Sequence, residues 1–548
     1  MRQYSDKRSL AERHITVTAE CNHPPVFPTL RRCLLACTLL ALASVSHGAA
    51  RSESEAIDAI RREATAPASA SSHPLPLAAH WNAGTRAMGF GPDFQIDAIQ
   101  HGHYLLPWFR LEPPERSLPG SYYDHGIAYF AEHGLPLSFE SPQWEMLLPK
   151  LSSAYPRPAR DAKPLPISPF GPLEPWYQVG RAWAASPVLK RLQQAYPSPP
   201  LILFISNNEY PKLKESDLKD APEIRSLPAR DPFAARKVIA DAWVRRYREM
   251  LRGFRDGLTS RWRDAAKFVG YDAFSAYDIG RWPGWPAYSL YTPGRMTVWS
   301  EAWDGASVSM YVHDWAPDTD FIVRSPQVEA MNRVPVLADI VHNRPQFWFE
   351  ISVWDGQQPG SKSDKWLFYR ALGQDFDAPR FGGMVQFGMW LLRPRVVREF
   401  RNPEHDRIRF GSYFDATMAA VVRVHDQPDL ERFWRAGRLL PNSSSLHPYQ
   451  AALPADFAAK PRWFLLDTPQ NPPRPWQLDT PLKVFALALE LGTAPRREWL
   501  VYAFSPLDQQ LQAAVHIPGG PSQTILSTRA GCFSLMTEQS KTISRIGC

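Results

Sequence analysis

The sequence predicts an α/β fold, namely a (β/α)8 TIM barrel followed by a C-terminal antiparallel β domain. Short apolar runs suited to buried parallel strands recur between about residues 80 and 405, and amphipathic stretches separate them. Helical spacing then almost disappears after residue 438, while apolar runs continue. With 548 residues, of which 44% are apolar, the chain is long enough for two or three domains.

Eight apolar runs are the candidate barrel strands. They are the segments 104–109, 135–140, 164–168, 201–206, 266–271, 306–312, 345–352 and 383–392. The intervening helices are clearest at 177–196 and 233–262, where apolar residues recur three and four positions apart. Repeated strand and helix over some 320 residues favour a closed parallel barrel.

The N-terminal fifty residues have the layout of a secretory signal after a long extension. Arg31 and Arg32 precede an apolar stretch from Cys33 to about Val45, and small residues follow near Ala50. We therefore expect an extension and signal peptide at 1–50, a linker at 51–79, the barrel at 80–405 and a β-rich domain at 406–548. This division predicts a periplasmic or secreted protein, and no other apolar run is long enough for an integral membrane segment.

Composition argues against several classes of partner and chemistry. Removal of residues 1–50, which carry six Lys/Arg and three Asp/Glu, lowers the formal charge from +7 to +4, and the rest shows no clustered basic stripe for nucleic acid. Phosphate-binding GxxxxGK[ST], dinucleotide-binding GxGxxG and serine-nucleophile GxSxG motifs are missing from the sequence, which disfavours kinases, dehydrogenases and common esterases. We expect no cofactor. His101 and His103 lack a metal-ligand partner at a diagnostic spacing and are read as loop histidines.

Two glutamates stand where barrel strands end. Glu209 comes just after the run 201–206, and Glu350 lies near the end of the run 345–352. Active sites of such barrels are built at the carboxyl ends of the strands. Hydrolysis of a glycosidic bond needs one carboxyl group to protonate the leaving oxygen and a second to attack or to activate water. The pair therefore indicates a glycosidase.

The arrangement resembles the clan A retaining glycoside hydrolases. The resemblance depends on the Asn208-Glu209 pair after strand four, on Glu350 at strand seven and on the alternation of strands and helices over residues 80–400. The resemblance implies that Glu209 is the acid/base, that Asn208 binds the sugar 2-hydroxyl and that Glu350 is the nucleophile. Two departures are present. Tyr210 separates Glu209 from the proline that many clan members have next, and the strand stays apolar beyond Glu350, which allows this side chain to lie below the rim.

Further candidates for sugar contacts lie at strand ends or in aromatic loops. The chain has 20 tryptophans, and aromatic faces stack on the C–H faces of pyranose rings. The candidate substrate-binding residues besides Asn208 are Glu140, Tyr210, Asp272, Trp282, Trp285, His313 and Trp354. For Glu140 and Asp272 a structural ion pair is the alternative role.

Three questions stay open at the level of sequence. A polysaccharide lyase acting on an acidic glycan is the enzymatic alternative, and a noncatalytic carbohydrate-binding barrel is the alternative from another class. In each case the partner is a carbohydrate. Cys532 and Cys548 remain after export, and they either pair or stay free thiols.

Overall fold

The structure is a computed structural model, and its described residues belong to one compact unit, Ala50–Cys548. The described residues are 73–81, 89–114, 120–141, 144–155, 165–207, 213, 215–228, 234–271, 302–311, 347–354, 378–400, 407–440, 465–470, 483–506, 510–540 and 543–548.

Eight parallel strands form the barrel sheet, in the order β1-β8-β7-β6-β5-β4-β3-β2. They are β1 (Leu77–His80), β2 (Trp108–Arg110), β3 (Leu137–Ser141), β4 (Ile202–Asn207), β5 (Ala266–Tyr271), β6 (Gly305–Tyr311), β7 (Trp348–Trp354) and β8 (Val396–Glu399). A parallel bridge between Ala78 and Leu105 brings the two ends of the sheet together. The (β/α)8 fold predicted from the sequence is confirmed.

Helices cover the outside of this sheet. They are α1 (Pro92–Gln100), α2 (Gly120–Glu132), α3 (Leu148–Leu151), α4 (Glu174–Ala184), α5 (Pro187–Ala195), α6 (Pro222–Arg225), α7 (Ala234–Asp256), α8 (Ser260–Ala265), α9 (Ala378–Leu392), α10 (Arg407–Asp426) and α11 (Pro428–Ala436). Two 3-10 turns, Trp144–Leu147 and Glu215–Leu218, complete the set among the described residues. The phenyl rings of Phe139, Phe204 and Phe268 stack along neighbouring strands and form the layer between barrel and helices.

Two of the predicted strands are wrong. Residues 165–168, the described part of the predicted segment 164–168, form no barrel strand. The two prolines of the predicted segment lack the N–H groups that a sheet requires. The segment 383–392 belongs to helix α9, whose residues from Gly383 to Leu392 are all buried. A Cβ on Gly383 would overlap the carbonyl oxygen of Arg529, and one on Gly388 would overlap the sulfur of Met310. A helix enclosed on both sides shows no apolar stripe, so its sequence resembles a buried strand.

The correct strands shift the barrel boundaries. The first strand begins at Leu77, inside the predicted linker, and the eighth is Val396–Glu399. Because one strand was missed before residue 104 and one was wrongly added at 164–168, the predicted numbers of strands four and seven are still right. Helices α10 and α11 follow β8 as far as Ala436, beyond the barrel end predicted at residue 405.

A second sheet of seven strands, largely antiparallel, forms the C-terminal part. Its strands are β9 (Arg438–Leu439), β10 (Phe485–Leu491), β11 (Glu498–Phe504), β12 (Gln510–His516), β13 (Ser522–Thr528), β14 (Cys532–Thr537) and β15 (Ile543–Gly547). The hydroxyl of Tyr502 donates to the carbonyl of Gly383 at 2.6 Å, which joins the sheet to helix α9. A disulfide links Cys532 to Cys548 and ties the C-terminal strand to β14.

The strand register brings the end of β4 into line with β7. Asn207, Tyr271, Ser307 and Glu350 are successive Cα partners across β4, β5, β6 and β7. Partners in neighbouring parallel strands point to the same face of the sheet, and side chains alternate between faces along each strand. The row therefore aligns the backbone of Glu350 with that of Asn207, the last residue before Asn208-Glu209.

Candidate active site

A buried arginine joins two glutamates across the barrel interior. Nε of Arg398 donates to Oε1 of Glu350 at 2.9 Å, and Nη2 donates to Oε2 of the same carboxylate at 3.3 Å. Nη1 donates to Oε1 of Glu140 at 3.2 Å. Strand β8, which carries Arg398, lies between β1 and β7, whereas β3, which carries Glu140, lies between β2 and β4. Since β3 and β8 are not neighbours in the sheet, this contact spans the interior.

The cluster is closed off from solvent, with 0% of Arg398, 0% of Glu350 and 1% of Glu140 exposed. Burial opposes the charge on Arg398, but attraction to Glu350 and Glu140 outweighs it, and the pKa of Arg398 is raised above its ordinary value. The guanidinium of Arg398 thus supplies a buried positive charge beside both carboxyl groups. The two-point contact also fixes the orientation of the Glu350 carboxylate.

Glu350 lies below the barrel rim. It is the third residue of β7, and four more residues follow before the strand ends at Trp354. At about 3.3 Å per residue, the strand continues for roughly 13 Å beyond it. Glu140, by contrast, is the last residue but one of β3. The sequence placed Glu350 near a strand end, and the structure places it at mid-depth.

Aromatic side chains surround the cluster. Nε1 of Trp348 lies 3.5 Å from Oε2 of Glu350. Trp81, the residue directly after β1, donates from Nε1 to Oγ of Ser352 at 2.7 Å. Its ring meets the ring of Tyr271 edge-on, with centroids 5.1 Å apart. Aromatic and polar side chains therefore lie inside the barrel close to Glu350.

A second buried pair of polar side chains, His80 with Glu399, is adjacent in sequence to this site. His80 Nε2 lies 3.1 Å from Oε2 of Glu399, and the imidazole stacks on Phe90 with centroids 4.0 Å apart. Phe414 of helix α10 packs edge-on against the same ring. Because side chains alternate along β8, Glu399 points away from the face that Arg398 occupies. This pair therefore anchors α10 to the barrel.

Most of the other predicted site residues lie outside the described part of the chain. They are Asn208, Glu209, Tyr210, Asp272, Trp282, Trp285 and His313. Trp354 is described; it ends β7 and packs edge-on against Phe400, with ring centroids 5.2 Å apart. Of the predicted residues, the structure thus brings Glu140 and Glu350 together, through Arg398.

Sequence reasoning missed Arg398, Trp81 and Ser352. Arg398 was missed because segment 383–392 was assigned as the eighth strand, which left the short run Val396–Glu399 unassigned. An arginine inside a four-residue parallel strand is itself a signal, because both faces of such strands are buried and its charge needs a partner. Trp81 was missed because β1 was assigned to the linker.

Within the described ranges, the structure holds no group of three or more His, Cys, Asp or Glu side chains that could bind a metal ion. No helix in these ranges has the length and apolar character needed to cross a bilayer.

Comparisons with known proteins give low similarities. No protein-family model matches the chain, and neither does any curated protein. Among solved structures, a GH36 α-galactosidase from Geobacillus stearothermophilus in complex with raffinose aligns with 79% of this chain at 12% identity and a TM-score of 0.33, over 47% of its own length. GH26A from Muricauda aligns with 68% of this chain at 11% identity and a TM-score of 0.30, over 93% of its own length.

A third solved structure, an endo-β-mannanase/endo-β-glucanase from Prevotella bryantii, aligns with 64% of this chain at 10% identity and a TM-score of 0.31, over 48% of its own length. The chain thus spans about half the length of this enzyme and of the α-galactosidase. At such low TM-scores and identities, these similarities assign the chain to no family.

Proposed function

We propose that this protein is an exported retaining glycoside hydrolase that acts on a polysaccharide or an oligosaccharide. Glu350 is the nucleophile and Glu209 is the acid/base, with Asn208 on the sugar 2-hydroxyl. The observation that carries the proposal is the two-point contact between Arg398 and Glu350 inside the barrel. A glycosidase nucleophile must be held in one orientation, and a two-point contact with a guanidinium fixes the orientation of a carboxylate.

The reaction would proceed in two displacements. An oxygen of Glu350 attacks the anomeric carbon while Glu209 gives a proton to the leaving oxygen, and a glycosyl-enzyme ester forms. Glu209 then takes a proton from water, which attacks the same carbon and releases Glu350. A carboxylate has about four lone-pair sites. Among the described residues, Arg398 and Trp348 occupy three of them, two on Oε2 and one on Oε1, so Oε1 is the oxygen available for attack.

A noncatalytic carbohydrate-binding barrel is the second candidate. The observation that favours it is the complete burial of Glu350 together with its pairing to Arg398, which is also the pattern of an internal ion pair in a barrel core. The two functions differ in one measurable result. A hydrolase releases new reducing ends from a glycan that it binds, whereas a binding protein retains affinity and yields no product.

The test is a screen of the mature protein against nitrophenyl glycosides and purified polysaccharides with reducing-end detection. Ultraviolet detection of unsaturated uronates in the same reactions identifies a lyase. On the substrate found, Glu350→Ala should lower kcat by about 10³-fold or more, and Glu209→Ala by about 10²–10⁴-fold. Glu145→Gln is the matched control, because Glu145 is equally buried but is bound to Tyr247 outside the barrel.

Retention of the anomeric configuration is tested on the same substrate. Proton NMR of the first product should show the anomeric configuration of the substrate, and a 2-fluoro glycoside of the correct sugar should label Glu350 covalently. Labelling of another carboxylate, or full activity of Glu350→Ala with circular dichroism unchanged, would remove Glu350 from the mechanism.

Export is part of the proposal. The basic, apolar and small-residue order before Ala50 supports it, and the disulfide between Cys532 and Cys548 suits an oxidising compartment. Mass spectrometry of material exported by a bacterial host should find a mature chain that begins near residue 51. A periplasmic protein that still begins at Met1 would contradict this.

A further inference from the structure

The side chain of Trp81 crosses the interior of the barrel. Trp81 follows β1, yet its indole donates to Ser352 on β7 and packs against Tyr271 at the end of β5. Strands β1 and β5 are separated by three strands in the sheet order. The indole therefore lies across the space that the eight strands enclose.

This indole lies on the mouth side of the reacting carboxylate. Ser352 is two residues after Glu350 on β7, so it points to the same face but is nearer the carboxyl end of the strand. Beneath the indole, Cζ of Arg398 is 5.7 Å from the ring centroid. Trp81 is 6% exposed, whereas Glu350 and Arg398 are 0% exposed. Trp81 thus stands between Glu350 and the end of the barrel at which substrates enter.

Nucleophilic attack needs the anomeric carbon about 3–3.5 Å from a carboxylate oxygen. A pyranose ring cannot approach that closely while the indole occupies the space above Glu350. We propose that Trp81 is a substrate-positioning residue: it covers Glu350 until a sugar displaces it from Ser352, and then stacks on the apolar face of that sugar. The inference rests on the proposed function, because it assumes that Glu350 meets a pyranose ring.

The contacts of Trp81 suit such a displacement. The hydrogen bond to Ser352 joins two neutral groups, and its net contribution is small because both partners can pair with water or a sugar hydroxyl instead. The contacts between Arg398 and its two glutamates involve charged groups and resist separation. Movement of the indole therefore leaves the charged cluster in place.

Access to Glu350 can be measured without a substrate. A water-soluble carbodiimide with glycine ethyl ester amidates accessible carboxyl groups, and peptide mass spectrometry gives the rate at each residue. We expect labelling of Glu350 to rise about 5-fold in Ser352→Ala, the factor that matches loss of one net hydrogen bond, and to rise further in Trp81→Ala. Trp176→Ala, which removes a buried tryptophan from helix α4, is the matched control and should leave Glu350 unchanged.

Labelling of Glu145 reports on unfolding in each variant, because Glu145 is buried away from the barrel interior. If it rises in Trp81→Ala, then Ser352→Ala decides the question, since that change removes only a hydroxyl group. Unchanged labelling of Glu350 in Ser352→Ala, or in Trp81→Ala with Glu145 unchanged, overturns the proposal. Hydrolysis by the wild-type protein is measured separately. Failure of the glycosidase assignment is therefore distinguished from failure of the proposal that Trp81 covers Glu350.

Kinetics on the substrate found test the second half of the proposal. Trp81→Phe keeps an aromatic face but cannot donate to Ser352, so its KM should match or fall below that of the wild type. Trp81→Ala loses the stacking surface, and its KM should rise. Equal KM values for the two variants would show that Trp81 does not stack on the sugar.

Discussion

Replacement of Arg398 by methionine tests whether this one cation holds the barrel interior together. Methionine approximates the length of the arginine side chain without its charge, and it leaves Glu350 and Glu140 buried with their shared partner removed. Loss of one partner from a buried pair costs about 3–5 kcal/mol. We expect a loss of that size in the free energy of unfolding near neutral pH, as measured by urea denaturation.

The matched control is Arg432→Met. Arg432 contacts Asp429 and Glu498, but it is about one third exposed, at 35%. Exposed and partly exposed pairs contribute about 0–1 kcal/mol. The difference between the two variants therefore separates burial of the charge from mere loss of an ion pair.

The pH dependence of the Arg398→Met variant has a definite sign. Removal of the guanidinium leaves two buried carboxyl groups without this positive charge, and burial of an uncompensated carboxyl group favours its neutral, proton-bound form. Folded protein then binds protons more readily than unfolded protein, so the variant gains stability as the pH falls and loses it as the pH rises. The difference in the free energy of unfolding between the variant and the wild type should become smaller toward about pH 5. A variant as stable as the wild type at neutral pH, or a gap independent of pH, would refute this reasoning.

Three further outcomes are expected. In a crystal structure, the carboxyl groups of Glu209 and Glu350 should lie about 5–5.5 Å apart; a gap of about 6.5–9.5 Å would indicate inversion instead. Burial lowers the pKa of His425, although its contact with the carbonyl of Pro76 opposes this. Unfolded protein therefore takes up the proton first as the pH falls, and the urea midpoint of the wild type should decrease below about pH 6.5. This decrease should be steeper than in His425→Gln, and equal slopes would contradict the lowered pKa. Cys548→Ser opens a disulfide with a sequence separation of 16 and should cost about 3 kcal/mol; hydrogen exchange should increase in the C-terminal strand, and unchanged protection there would contradict a stabilising role.

Local sequence was enough to predict much of the barrel. Runs such as 201–206 and 266–271 are short, apolar and rich in residues that suit strands, and both became strands of the parallel sheet. The rhythm of strand and helix predicted closure into eight strands, since a buried parallel sheet needs a helix on its outer face for each crossover. The strand numbers given to Glu209 and Glu350 were right because the strand missed before residue 104 offset the one wrongly added at 164–168.

Helix α9 and strand β8 could not be assigned in this way. A helix buried between barrel and C-terminal sheet has apolar residues on every side, so its periodicity carries no signal. Strand β8 has four residues, too few for a pattern, and it carries the arginine that contacts both interior glutamates. The sequence alone determined the fold class, the strand count and two candidate acids. Only the tertiary structure placed Glu350 below the rim, paired it with Arg398 and joined Trp81 to Ser352, because these contacts link residues far apart in sequence that come together only when the barrel closes.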